Sequence, residues 1–201
     1  MRSAKILVAC LAMVIFASLG AKAQETAPRV SIETSMGTII LELDRAHAPA
    51  TVANFLRYAG EGHFNGTVVY RVVPGFVIQA GSYDAAGAAR NVHDPIPLET
   101  ANASNNTRGT IAMARADEPN SATAEFFINL ADNKSLDRQP DDKDNKTGFT
   151  AFGHVVQGMD VVDRIAAVPL AGGRGPFPDA APQMPVTIVK VTALGDAPQN
   201  P

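Results

Sequence analysis

Residues 70–81 read Tyr-Arg-Val-Val-Pro-Gly-Phe-Val-Ile-Gln-Ala-Gly. Two short apolar, β-branched runs flank Pro74-Gly75, the composition of a hairpin. Arg71 and Gln79 stand inside this otherwise apolar stretch. A guanidinium is costly to bury without a partner, so a permanent charge here needs a reason. With a two-residue turn, residue 73 pairs with 76 and residue 71 with 78. Arg71 then shares a face with Phe76 while Gln79 points the other way. A one-residue bulge or a longer turn brings Gln79 round to Arg71. Periodicity leaves both registers open.

Outward from this hairpin the chain is mostly short strands. Residues 30–34 alternate apolar and polar. Ser35-Met36-Gly37 reads as a tight turn with Gly free to take positive φ, and Ile39, Leu41 and Leu43 share one face of a return strand. Pro49 suits the first turn of a helix. Val52, Phe55, Leu56 and Ala59 fall at helical spacing before Gly60-Glu61-Gly62 ends the run. Residues 82–108 are rich in Gly, Ala and Asn with little periodicity. Residues 109–114, 126–130, 151–156 and 186–191 read as strands, and 159–167 as a second helix with Val162, Ile165 and Ala166 on its apolar side. Residues 138–147 read as a solvated charged loop, and residues 169–185 as a Pro/Gly-rich loop. Many short strands, two separated helices and no βαβ rhythm argue for an antiparallel sheet or barrel with helices at its ends.

The chain has 201 residues, of which 46% are hydrophobic and 18% charged, with a formal net charge of −3. That suits one domain with a substantial core. No basic stripe is present, so a nucleic-acid partner is not expected. The N-terminus carries a short basic start, an uncharged apolar run over residues 6–19 and the small-residue site Ala21-Lys22-Ala23. This is the pattern of a secretory signal cleaved after Ala23. It leaves residues 24–201 as a single exported domain with no membrane attachment. Cleavage removes Arg2, Lys5, Lys22 and no acid, taking the net charge from −3 to −6, and removes the lone cysteine, Cys10. The mature domain is then free of disulfides and thiol nucleophiles.

Other chemistries find no frame. His47, His63, His93 and His154 form no metal-ligand spacing. Ser82 lacks a nucleophile elbow, residues 172–175 lack a Walker lysine, and Asp141-Asp142-Lys143-Asp144 fails calcium-loop spacing. No metal and no cofactor is expected. Arg71, Gln79, Phe76 and Phe126-Phe127 remain, a set suited to binding, polarising and packing.

Four segments in order then carry a resemblance: residues 70–79, Asn106-Thr-Arg-Gly-Thr-Ile-Ala-Met-Ala-Arg115, Ser121-Ala-Thr-Ala-Glu-Phe-Phe-Ile-Asn129 and Phe149-Thr-Ala-Phe-Gly153. From about residue 30 to 192 the chain resembles the cyclophilin-type peptidyl-prolyl cis/trans isomerases, most of all the periplasmic cyclophilins of Gram-negative bacteria. The resemblance implies a mainly β fold, a closed eight-stranded antiparallel barrel capped by two α-helices. It implies an outer groove for proline-containing segments of unfolded or partly folded proteins, no cofactor, a periplasmic location and a monomer. By position, Arg71 matches the catalytic arginine and Gln79 the residue that orients it. Phe76 and Phe127 match the walls of the proline pocket, Val77 replaces its methionine, and Leu136 lines its floor. Ala114 and Arg115 match a short strand that binds substrate backbone. Three positions depart: Glu125 stands for a frequent glutamine, Phe149 for the pocket histidine, and Ser135 for a tryptophan of many eukaryotic members. The last change implies weak cyclosporin binding.

The residues fit the reaction. Rotation about X-Pro is slow because of C–N double-bond character, and nothing covalent is needed to speed it. A charged donor aimed at the proline nitrogen favours the twisted state, and an aromatic socket holds the ring. A binding module with little turnover and a structural envelope protein are the competing readings; an intact Arg71 weighs against the first and the near-complete pocket against the second. Taken alone, a strand arginine is structural more often than catalytic, through an acid such as Glu125, and a lone phenylalanine is usually core.

Overall fold

The computed structural model describes residues 27–173 and 175–196. The expected signal segment, residues 1–23, lies outside the described residues. Nine strands form one sheet: β1 Pro28–Thr34, β2 Gly37–Leu43, β3 Val68–Val69, β4 Arg71–Val73, β5 Val77–Ala80, β6 Thr110–Met113, β7 Phe126–Asn129, β8 Ala151–Gln157 and β9 Val186–Asp196. Their spatial order is β3-β9-β1-β2-β8-β6-β7-β5-β4, and all named pairings are antiparallel. The two ends of this order, β3 and β4, are neighbours in the chain, separated only by Tyr70. The sheet therefore curls back on itself into a nearly closed barrel. Counting β3 and β4 as one strand interrupted at Tyr70 recovers the eight expected from the resemblance.

The helices follow their apolar stripes. Helix α1, Pro49–Gly60, buries Val52, Phe55, Tyr58 and Ala59, and helix α2, Met159–Ala166, buries Val161, Val162 and Ile165. The first helix has no side-chain cap of its own. Instead Ala50 N–H and Thr51 N–H donate to the Glu99 carboxylate at 3.0 and 2.8 Å, and Thr51 Oγ1 donates to it at 2.7 Å. An anion there also complements the helix dipole. The β1–β2 turn is tighter than the sequence suggests: Thr34 pairs with Gly37, so only Ser35 and Met36 lie outside the strands. Gly37 has φ +133°, and a Cβ on it would lie 2.9 Å from Val161 Cγ2. The final strand runs five residues past Val191, to Asp196, paired along β1.

The charged loop 138–147 is organised rather than merely solvated. Lys146 N–H and Thr147 N–H donate to the Asp142 carboxylate at 3.0 and 2.7 Å, and Thr147 Oγ1 adds a third bond at 2.7 Å. These donors, led by Lys146 N–H, hold the Asp142 carboxyl down at about 2. Among the described residues no helix is long and apolar enough to cross a membrane.

Candidate active site

The hairpin of residues 70–81 has a three-residue loop. Val73 pairs with Val77, Val72 with Ile78 and Arg71 with Gln79. Phe76 N–H bonds Val73 O at 2.9 Å, and Gly75 takes φ +71°, which favours glycine. The longer turn settles the register, and Arg71 and Gln79 stand side by side. Arg71 Nη1–H donates to Gln79 Oε1 at 3.0 Å.

Cross-strand pairing extends this row. Gln79 pairs with Phe127, and Phe127 with Ala112. The adjacent row, Val72–Ile78–Ile128–Ile111, belongs to the main core inside the barrel. Strand alternation therefore sends Arg71, Gln79, Phe127 and Ala112 to the outer face. There a second, separate apolar cluster forms. Val77, Ala112, Phe127 and Ala151 are buried, and Phe76, Ala114, Leu136 and Phe149 pack half-buried around them. Phe127 and Phe149 meet edge-to-face, with ring centroids 5.6 Å apart. Eight of the ten residues expected at the site thus fall in or around one apolar cluster: Phe76, Val77, Ala114, Phe127, Leu136 and Phe149 in it, and Arg71 and Gln79 in the row that leads to Phe127.

Glu125 is engaged rather than free near the groove. Its Oε2 accepts from Tyr70 O–H at 2.5 Å and from Gln79 Nε2 at 3.1 Å, and Gln79 Nε2 also donates to Tyr70 Oη. This fixes the amide. With Nε2 turned to Glu125 and Tyr70, Oε1 is left for Arg71. Tyr70 is buried beside that carboxylate, and desolvation first, then the Glu125 charge, pushes its hydroxyl far above its usual range. Among the described residues Arg71 forms no ion pair. The structural reading, an arginine neutralised by Glu125, is therefore not what is found.

Arg115 lies just past the end of a strand. Strand β6 ends at Met113, and Ala114 continues it only through its N–H bond to Glu125 O at 2.9 Å. The Arg115 guanidinium is turned onto the protein's own backbone. It donates to Gly148 O, Ala116 O and Asp117 O at 3.0, 2.9 and 3.0 Å and lies 5.0 Å from the Phe149 ring centroid. The guanidinium thus supports the Phe149 ring, while the expectation for this residue concerned its backbone.

Behind the apolar cluster lies an asparagine relay that sequence reasoning missed. Asn129 Nδ2 donates to Asn106 Oδ1 at 3.2 Å and Thr110 Oγ1 at 2.9 Å, and its Oδ1 accepts from Asn133 Nδ2 at 2.7 Å. Asn133 Nδ2 also holds Phe76 O at 2.9 Å, while Asn106 Nδ2 holds Leu136 O and Phe149 O at 3.0 and 3.1 Å. Three walls of the cluster are pinned through their carbonyls. Buried asparagines in a strand and loop were the only available signal. A polar recess of about 300 Å³ also borders Phe149, lined by Thr100, Asn106 and Arg138 among others. It shares no residue with the Arg71 row.

Comparison with known proteins identifies the family. Residues 29–193 match the family described as cyclophilin type peptidyl-prolyl cis-trans isomerase/CLD. The chain is 42% identical over 166 residues to peptidyl-prolyl cis-trans isomerase cyp18 of Streptomyces antibioticus, covering 83% of this chain and 98% of that protein. It is 41% identical to isomerase A of Dickeya dadantii strain 3937, covering 83% and 84%. It is 42% identical to isomerase B of Escherichia coli K12, covering 81% and 98%. In fold it is similar to a cyclophilin-type isomerase of Cryptosporidium parvum, with TM-score 0.69 at 20% identity over 85% of this chain and 99% of that one. The same Cryptosporidium protein in the presence of the dipeptide Ala-Pro gives TM-score 0.68 at 21% identity over 84% and 99%.

Proposed function

This chain belongs to the cyclophilin-type peptidyl-prolyl cis-trans isomerases, and on that premise we propose that it isomerises X-Pro bonds by aiming the Arg71 guanidinium at the prolyl nitrogen. The activity is that of a peptidyl-prolyl cis-trans isomerase. One observation carries the proposed mechanism: an arginine with no acid partner among the described residues is tethered by Gln79 beside an outward apolar cluster.

The steps follow from these parts. A prolyl ring enters between Phe76, Phe127 and Phe149, with Leu136 at its floor and Val77 beside it, losing water as it does. As the X-Pro bond twists, the proline nitrogen regains its lone pair, and an Arg71 N–H donates to it. The guanidinium stays charged at any working pH and has donors besides the one Gln79 holds. In a half-dry groove that hydrogen bond is stronger than in water. A ~10⁵-fold acceleration asks for about 7 kcal/mol of differential stabilisation, within reach of one charged hydrogen bond plus positioning. Glu125 acts at one remove, by fixing the Gln79 amide. Backbone near Ala114 and Arg115 lines the groove's edge and holds the rest of the peptide.

The signal-like N-terminus supports a role in folding exported proteins in the periplasm, with the domain working as a monomer on proline-containing segments. The test is the cis/trans exchange rate of an Ala-Pro-Phe-type peptide with the purified protein and with Arg71→Ala. The expected loss is roughly 10²-fold or more with the fold intact. A variant as fast as the parent would end the electrostatic mechanism. A parent that does not accelerate exchange would leave the groove as a binding site only.

A further inference from the structure

The sheet ends at Arg71. Strand β4 is the last in the spatial order, so beyond its free edge the barrel offers Arg71 no further strand neighbour. An aromatic ring lies over the guanidinium here. Phe177, from the loop 169–185, lies with its ring centroid 5.0 Å from the Arg71 guanidinium carbon. The same ring is stacked on Tyr70, with centroids 6.2 Å apart and planes 14° from parallel. Phe177 keeps 43% of its surface open.

The loop is built to hold this ring in place. Ala171 N–H and Gly172 N–H bond Asp179 O and Ala181 O at 3.1 and 2.9 Å, Gly173 N–H bonds Pro178 O at 3.2 Å, and Ala180 N–H bonds Phe177 O at 3.0 Å. The short 3₁₀ turn Pro178–Ala180 follows directly after the ring. At Gly172 a Cβ would lie 2.2 Å from Pro182 O, so the two arms of the loop touch through backbone.

We propose that Phe177 is a positioning residue for the isomerase reaction: its ring face and the Gln79 carbonyl together hold the Arg71 guanidinium in one plane, with its remaining N–H groups free for the prolyl amide. This rests on the reading of Arg71 as the group that acts on the substrate. An arginine side chain has several rotatable bonds and must otherwise be ordered at each turnover. Gln79 fixes one nitrogen at the guanidinium edge and leaves rotation about that contact. A ring against the flat face removes it. The planar, weakly hydrated guanidinium is suited to such a shelf, and a lysine ammonium is not.

The experiment is a double-mutant cycle on the full chain, read by cis/trans exchange of a prolyl peptide and by the Arg71 Nε–Hε NMR signal. Phe177→Leu keeps an apolar cover for Tyr70 but removes the ring face. Phe177→Tyr keeps the face. The expected result is about a threefold fall in kcat/KM for Phe177→Leu, carried mainly by kcat, recovered in Phe177→Tyr and absent when Arg71→Ala is already present. The Arg71 Hε resonance should lose its ring-current shift in Phe177→Leu. A Phe177→Leu protein with parental rate, or one that loses as much with Arg71→Ala as without it, overturns the positioning role. If Arg71→Ala alone is as active as the parent, the reading of the site fails instead, and the Hε shift still reports separately whether the ring holds the guanidinium.

Discussion

Replacing Asn129 by alanine tests whether the asparagine relay supports the pocket. Asn129 is 0% exposed. Truncation removes its bonds to Asn106 Oδ1, Thr110 Oγ1 and Asn133 Nδ2. Two of these partners keep a second bond: Asn133 Nδ2 to Phe76 O and Thr110 Oγ1 to Thr107 O. Asn106 Oδ1 has no other donor among the described residues. One orphaned buried acceptor costs about 1–3 kcal/mol and each lost but partly compensated bond about 0.5–1. The expected destabilisation is therefore about 3 kcal/mol. With a urea m-value of about 2 kcal/mol/M the midpoint falls by about 1.5 M. Asn133 and Asn106 hold the carbonyls of Phe76, Leu136 and Phe149, so their loosening should raise KM for a prolyl peptide more than it lowers kcat, measured below the new midpoint. A midpoint shift under about 0.5 M would refute the energetic reasoning. A full shift with parental KM would show that the relay supports the barrel and not the pocket.

Glu99→Ala should lower stability by about 1–2 kcal/mol, because α1 loses the carboxylate that caps it, and Glu99→Gln should lose about half as much; thermal unfolding of both variants reads this, and an unchanged transition in Glu99→Ala would mean water replaces the cap fully. Asp142 predicts a pH window. Its carboxyl is lowered from 3.8 to about 2 in the folded protein, so its contribution is present above the unfolded value and lost as pH falls through about 2. Urea midpoints measured from pH 5 to pH 2 should fall more for the parent than for Asp142→Asn, and parallel curves would exclude the linkage.

What the sequence made legible follows from the range of each interaction. Both helices were readable because their stripes, such as Val52, Phe55 and Ala59, repeat within one segment. The strands were readable as apolar runs, but their faces were not. β5, β6 and β7 are buried at every position, since the barrel core covers one face and the outer cluster the other, and such strands show no alternation. The Arg71–Gln79 pairing hung on a single residue in the turn, which composition does not count. The Glu99 cap joins positions 48 and 49 residues apart, and Asn133 reaches Phe76 across 57. These bonds exist only once the barrel has closed. Phe177 was invisible for the same reason, as one aromatic in a loop read as Pro/Gly-rich.

The three-residue turn at Pro74-Gly75-Phe76 is where fold and chemistry meet. A shift of one residue in β4 against β5 would carry Arg71 off the row it shares with Gln79 and Phe127, toward the row of Val72, Ile78, Ile128 and Ile111 inside the barrel. An unpaired guanidinium among those side chains would cost several kcal/mol. The charge thus helps specify the register that makes it useful, because the barrel tolerates Arg71 only where the outer groove leaves it half-wet. The same constraint explains the division of labour around it. Glu125 and Tyr70 satisfy the amide of Gln79, so the one polar pair on an apolar face needs no acid on the arginine itself. A carboxylate paired directly with Arg71 would stabilise the fold locally and weaken the donor. Under the proposed mechanism, its place one residue away orders the donor and leaves its charge available.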